Sequence, residues 1–416
     1  MEERFEKMTN VHALLGQRCP EYAKIMTQEM GKPIKQSEGE IMKCAAHIEY
    51  TIAHTKHFLE DQMLENDGKR SFVTHDAIGP IMDIVPWNFP FWMPFKSMIP
   101  PLALGNPILL KPAPMCPLTT AAMEDLFEDA GFTDGEFQVL YIDNEMSEKV
   151  LSDKRVRGVK FTGSTRGGKE VAAIAGRNMK QGCFELGGSD PFIVLEDSDI
   201  QLAVDKGYVS RMVNNGQACI NAKRFIVHEE IYERFRDALI EKIKAETKMG
   251  DPLDPEMNLG PLADQKQAAT LREQVQRSLD KGAEMTYGSL EVPNDLHPGN
   301  YFGPIVLENI QPGSAADCEE LFGPVFSLFK VYSSQQAIDL ANNSDYGLGA
   351  AVFSGDVARA ERVARKLDAG MIYINDFVQS QSNVPSGGTK DSGYGRECHF
   401  EGLVDLSNSK SIVVNP

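Results

Sequence analysis

The sequence predicts an α/β protein: a doubly wound parallel sheet, a second α/β unit and a small β extension. Three observations predict it. Short apolar runs alternate with helical stretches through most of the chain, the pattern of parallel strands covered on both faces. A length of 416 residues leaves room for two or three domains. A strand-like run, Ser71-Phe72-Val73-Thr74, and a β-prone tail, Ser411-Ile412-Val413-Val414-Asn415, lie outside the alternation.

In order along the chain, residues up to about 64 read as helices, with Ile41, Cys44, Ala45 and Ile48 at helical spacing. The turn Glu65-Asn66-Asp67-Gly68 leads into the Ser71 run. Strands are predicted over 81–85, 107–111, 137–142 and 156–161. A helix over 118–130 starts after Pro117 and stops before Gly131. This first half reads as a nucleotide-binding domain. The second half repeats the alternation, with strands over 224–228, 350–353 and 371–375 and helices over 230–246 and 357–367. A helix from Asp199 is expected to end at the segment before Cys219. An apolar terminal strand such as 411–415 is better placed against a partner subunit than in water.

Composition excludes several classes. Asp plus Glu total 60 against 42 for Lys plus Arg, a net charge of −18, which argues against nucleic acid or an anionic membrane as main partner. Seven cysteines are scattered, never as C-x-x-C, so no metal site is expected and a reducing compartment is. No apolar run reaches the length of a membrane span. The charged start, Met1-Glu2-Glu3-Arg4-Phe5, is not a signal peptide. The expectation is a soluble cytoplasmic protein.

Four segments could carry chemistry. Asn214-Asn215-Gly216-Gln217-Ala218-Cys219 places a cysteine beside glycine and uncharged polar groups; it is either a reactive thiol or a buried small hydrophobe. Phe184-Glu185-Leu186-Gly187-Gly188 puts one carboxylate among apolar residues. Desolvated there it suits a general base; otherwise it is a strand end facing solvent. Pro86-Trp87-Asn88-Phe89-Pro90 brackets an amide with prolines and aromatics, either a donor to a developing oxyanion or a rigid turn. Phe161-Thr162-Gly163-Ser164-Thr165 follows a strand and opens a helix, a junction suited to a pyrophosphate. Residues 163–170 approach a P-loop, but Glu170 stands where Ser or Thr would hold magnesium.

Together and in this order, the four segments resemble the aldehyde dehydrogenase superfamily. Met30-Gly31-Lys32-Pro33, Leu110-Lys111-Pro112, Glu319-Glu320-Leu321-Phe322-Gly323-Pro324 and Ser392-Gly393-Tyr394-Gly395-Arg396-Glu397 agree with it. Glu185-Leu186-Gly187-Gly188-Ser189-Asp190-Pro191-Phe192 and Lys111-Pro112-Ala113-Pro114 are most similar to its succinate-semialdehyde dehydrogenase branch.

The resemblance implies a Rossmann-type cofactor domain at 1–59 and 79–186, a catalytic domain at 187–395, and an oligomerisation extension from 60–78 and 400–416. The extension is expected to pair with the C-terminal strand across a subunit interface of a homodimer or homotetramer. The implied activity is NAD(P)-dependent oxidation of an aldehyde to an acid, with succinate semialdehyde as substrate. Cys219 would be the nucleophile, Asn88 the oxyanion donor and Glu185 the base for thioester hydrolysis. Lys111 would contact the adenine ribose, Gly163 and Ser164 the pyrophosphate, Glu320 with Phe322 the nicotinamide ribose, and Trp87 the nicotinamide.

Departures from the family pattern carry further expectations. Pro114 stands where NAD-preferring members have a glutamate, so NADP should be used at least as well as NAD. Lys96 stands where semialdehyde-oxidising relatives have an arginine for the distal carboxylate; it keeps the charge and loses the planar fork. Relatives have some tens of residues ahead of the first helix seen here, including cofactor-domain edge strands. Two other readings stay open: a broad-specificity aldehyde dehydrogenase with Lys96 uninvolved, and a catalytically silent protein that binds cofactor.

Overall fold

A computed structural model describes residues 1–291, 296 and 300–415. The remaining parts of the expected segments 187–395 and 400–416 lie outside the described residues. Two long helices, Glu2–Met30 and Ile34–Phe58, begin the chain and bury one face each. Among the described residues no helix is long and apolar enough to cross a membrane.

Among the described residues four sheets follow, one of them only the pair Tyr346–Gly347 and Thr389–Lys390, and the α/β architecture is the predicted one. The first has six strands in the order Gly393–Tyr394, Gln181–Glu185, Gly158–Thr162, Ile81–Ile84, Ile108–Lys111, Phe137–Val139. Its pairs are parallel except that Gly393–Tyr394 runs antiparallel to Gln181–Glu185. Side chains alternate between faces: Ile81 enters the core under the two N-terminal helices, while its neighbour Met82 enters the core on the opposite face with Val159, Phe161 and Phe184. Burial on both sides explains the near-continuous apolar runs. The second sheet has seven strands, ordered Glu284–Tyr287, Ile305–Glu308, Val325–Val331, Ala222–His228, Asp190–Val194, Gly349–Phe353, Met371–Ile374.

In the first sheet the chain winds outward from Ile81–Ile84 to Phe137–Val139, then returns to build Gly158–Thr162 on the other side. The strand order reverses between Ile81–Ile84 and Gly158–Thr162. The crevice at such a reversal, beyond the carboxyl ends of the strands, is where doubly wound sheets take ligands. Here those ends lead directly into Trp87-Asn88 and Gly163-Ser164.

The third sheet holds Gln62–Leu64, Arg70–Ala77 and Ser407–Val414. It corrects one expectation: the C-terminal strand pairs within its own chain, antiparallel to Arg70–Ala77 from Ser407↔Ala77 to Val414↔Arg70. The helix His399–Val404 brings the tail back beside the extension, where the strand pairing satisfies backbone groups locally and His75 Nδ1 meets Ser407 Oγ at 3.0 Å.

The approach to Cys219 follows the expectation of a helix from Asp199 that ends before it. The helix from Ile200 stops at Met212, and Asn214 and Asn215 take left-handed φ values of 55° and 56°. Asparagine tolerates that conformation better than other residues with a Cβ, so the pair turns the chain out of the helix. Several helices and strands that sequence periodicity left unassigned, among them Val325–Val331 and Gln265–Asp280, complete the second sheet and its cover.

Candidate active site

One cleft gathers most of the residues singled out from the sequence. Trp87, Asn88, Gly163, Ser164, Cys219, Glu320 and Phe322 line it, joined by Thr162, Leu186, Gly187 and Gln267. Lys96, Lys111, Pro114 and Glu185 do not line it. Three chain segments leaving the first sheet and two entering the second meet there, with the start of the helix Gln265–Asp280, so the cleft lies between the sheets.

Hydrogen bonds from side chain to backbone hold the turn that carries Cys219. Asn88 Nδ2 donates to the Gln217 carbonyl at 3.0 Å, and Asn214 Nδ2 donates to the Asn88 carbonyl at 2.6 Å. Asn215 Nδ2 donates to the Gly31 and Pro261 carbonyls, both at 2.9 Å, and its Oδ1 accepts from Gly260 N–H. Left-handed backbone and amide side chains together fix the turn from three directions. Burial pushes the Cys219 thiol up to about 12, Lys96 and Lys223 pull it down, and Glu320 and Glu185 push it up.

Glu185 ends the strand Gln181–Glu185 and is 3% exposed. Burial raises its pKa, against the pull of Lys96. Oε2 meets Lys96 Nζ at 3.4 Å, and Oε1 has no hydrogen-bond partner. A desolvated carboxylate with one free oxygen is the environment a general base requires.

Lys96, expected at the substrate's carboxylate, meets two carboxylates inside the protein. It sits on Trp92–Leu104, a helix buried throughout, and its ammonium meets Glu397 Oε2 at 2.7 Å as well as Glu185. A lysine on a fully buried helix has to find carboxylates inside the protein, and these two occupy it. Glu397 belongs to the Ser392-to-Glu397 run that carried the resemblance, but nothing in its local sequence signals a partner so far away in the chain.

On the cofactor side, Ser164 caps the N-terminus of the helix Thr165–Arg177, its Oγ accepting from Gly167 N–H at 3.2 Å. Its hydroxyl proton remains available at a helix terminus suited to anions. Trp87 and Phe322 meet edge to face with centroids 5.8 Å apart. Lys111 is buried at the end of Ile108–Lys111, with its pKa lowered by that burial, and Pro114 lies exposed beyond it. Gly187 and Gly188 are not a flexible joint. A Cβ on Gly187 would come within 2.6 Å of Glu320 Oε2, and one on Gly188 within 2.7 Å of the Cys219 carbonyl oxygen. These are close approaches that only glycine permits. They fit a nicotinamide dinucleotide: a carboxylate held for ribose hydroxyls, an aromatic pair, and a helix terminus.

Fold and cleft define an α/β oxidoreductase with a thiol beside a nucleotide cradle. The aldehyde dehydrogenase family pattern matches residues 1–412, and the chain belongs to that family. It is 40% identical over 414 residues to a protein of Deinococcus radiodurans named succinate-semialdehyde dehydrogenase [NADP(+)], covering 100% of this chain and 86% of that one. The structure of succinic semialdehyde dehydrogenase from Streptococcus pyogenes in complex with NADP+ superimposes with a TM-score of 0.96 at 38% identity, over 99% of this chain and 90% of that one. Betaine aldehyde dehydrogenase from Staphylococcus aureus, in complex with NAD+, gives 0.94 at 30% identity, over 100% and 82%.

Proposed function

We propose that this protein oxidises succinate semialdehyde to succinate, with NADP used at least as well as NAD, through a thioester on Cys219. The observation that carries the reading is Cys219 and Asn88 in one cleft with the Glu320 cradle. Identities near 40% to semialdehyde-oxidising relatives support the substrate, and Pro114 in place of a carboxylate supports NADP.

Asn88 and the Cys219 backbone N–H take the oxyanion that forms when the thiolate adds to the aldehyde carbon. A bound nicotinamide supplies the hydride acceptor. Glu185 then takes a proton from water, the hydroxide adds to the thioester carbonyl, and Cys219 leaves as thiolate while the acid departs. Lys96 holds Glu185 and offsets its charge, and Glu397 anchors the Lys96 ammonium.

With Lys96 occupied, the substrate's carboxylate needs another cation. Lys43 is the candidate. Its Nζ lies over the Trp92 ring, 4.1 Å from the centroid, and no carboxylate pairs with it among the described residues. Trp92 precedes Lys96 by one helical turn.

In the same reading, 1–59 and 79–186 serve the cofactor and 187–395 the chemistry, although Gly393–Tyr394 returns to the first sheet. The extension of 60–78 and 400–416 leaves Ile412, Val413 and Val414 exposed, which supports a homodimer or homotetramer. Seven unpaired thiols fit a reducing compartment, the cytoplasm.

The test is cofactor reduction with succinate semialdehyde and with butanal, each with NADP and with NAD. A preference in kcat/KM of roughly 100-fold for the semialdehyde, about 2.8 kcal/mol, is expected. Comparable values for both aldehydes would leave a broad-specificity enzyme, and cofactor binding without reduction a silent one.

A further inference from the structure

Lys223 is the second residue of the strand Ala222–His228 and is 3% exposed. Its ammonium has three protons to place. Nζ donates to the Cys219 carbonyl at 2.6 Å and to the Ala218 carbonyl at 2.9 Å, and lies 3.3 Å from Glu320 Oε1. The same Oε1 accepts from Gly188 N–H at 3.2 Å. Gly188 in turn packs on the Cys219 carbonyl. One buried cation therefore closes a ring between the turn that carries the nucleophile and the carboxylate of the cofactor cradle. Neither Cys219 nor Glu320 could move without breaking a charge-assisted contact inside the protein.

We propose that Lys223 is a positioning residue that couples the Glu320 cradle to the Cys219 turn, so that occupation of the cradle by a cofactor ribose orients and activates the thiol. This rests on the reading of Cys219 as nucleophile and Glu320 as cofactor carboxylate. Ribose hydroxyls on Glu320 draw on the oxygens that Lys223 shares, and the ammonium answers by shifting its donors toward the Cys219 carbonyl. Four charged groups act on the thiol from the surrounding elements: Lys96, Lys223, Glu320 and Glu185. Of these four, Lys223 bonds carbonyls of the nucleophile turn and also meets the cradle carboxylate.

The test is the pH dependence of Cys219 alkylation by iodoacetamide, with and without NADP, in the 416-residue chain. Cys219→Ala identifies the signal. Lys223→Gln keeps a donor for the buried carbonyls and removes the charge. It should raise the alkylation midpoint by about one pH unit, slow alkylation at neutral pH about tenfold, and abolish the response to NADP. A folded Lys223→Gln with the wild-type midpoint and the wild-type response to NADP overturns the proposal. Should Lys223→Gln not fold, Lys223→Arg carries the test. The retained charge keeps the midpoint, while the wider guanidinium cannot make all three contacts, so kcat falls about tenfold. Wild-type kcat and wild-type KM for NADP in Lys223→Arg also overturn it. Alkylation needs no aldehyde, so a failure to oxidise any aldehyde would sink the functional reading without deciding this one.

Discussion

Asn88 donates its side-chain N–H to the Gln217 carbonyl at 3.0 Å, two residues ahead of Cys219. The amide that faces the cleft is thus anchored to the turn it serves. One proton of Nδ2 holds the turn and the other is left for an oxyanion. Asn88→Ala removes both, and kcat should fall about 100- to 1000-fold with cofactor affinity retained. Steady-state kinetics alongside cofactor titration measure this; a fall under tenfold would assign the oxyanion to other donors.

Cys219→Ala should abolish turnover and leave cofactor binding nearly unchanged, read by fluorescence titration. Glu185→Gln should give a stoichiometric burst of reduced cofactor followed by slow turnover, because its free oxygen serves thioester hydrolysis. Stopped-flow absorbance detects the burst. Slow formation with no burst would place Glu185 before hydride transfer.

The two glycines after Leu186 should separate by kinetic signature. Gly187→Ala pushes on Glu320 and should raise KM for the cofactor. Gly188→Ala pushes on the Cys219 carbonyl and should lower kcat, by about 100-fold for a displacement of about 1 Å. Identical effects from both would mean that the strand end moves as one body.

Lys43 carries a pH prediction. Burial, with Lys96 adding repulsion, pushes its pKa down to about 8, so its ammonium is charged below pH 8 and lost above it. KM for succinate semialdehyde should be level below about pH 8 and rise above it, while KM for butanal stays level. Lys43→Met should raise KM for the semialdehyde about tenfold or more at pH 7 and leave butanal unaffected. Equal shifts for both aldehydes would remove Lys43 from the carboxylate.

Stability should follow Asp83. Burial lifts its carboxyl to about 8, Ser97 bonds one oxygen at 2.5 Å, and the other has no partner. A folded pKa above the unfolded value of about 3.9 means stability present at low pH is lost as pH rises from about 4 to 8. Asp83→Asn keeps the neutral form. Its stability relative to wild type should increase between pH 5 and 9 by something on the order of 2–4 kcal/mol. Denaturant unfolding at the two pH values checks this, and a pH-independent difference would contradict it.

Strands buried on both faces, such as Ile81–Ile84 and Gly158–Thr162, and the helix Pro117–Asp129 were legible in the sequence, because apolar runs, proline and glycine act locally. So were Cys219, Asn88 and Glu320, whose neighbours form recognisable motifs. Strands in the second sheet such as Val325–Val331 were not, since apolar runs that short do not declare helix or strand until the layers around them are placed.

By itself the sequence determined the fold class, the family and which side chains could do chemistry. Those properties follow from periodicity and from motifs a few residues long. Tertiary structure alone decided which charges meet. It brought Lys96 to Glu185 and Glu397, placed Lys223 between Cys219 and Glu320, and paired the C-terminal strand within its own chain. Burying a charge is costly, and its partner is whichever carboxylate or carbonyl the packing brings within about 3 Å, at any distance along the chain.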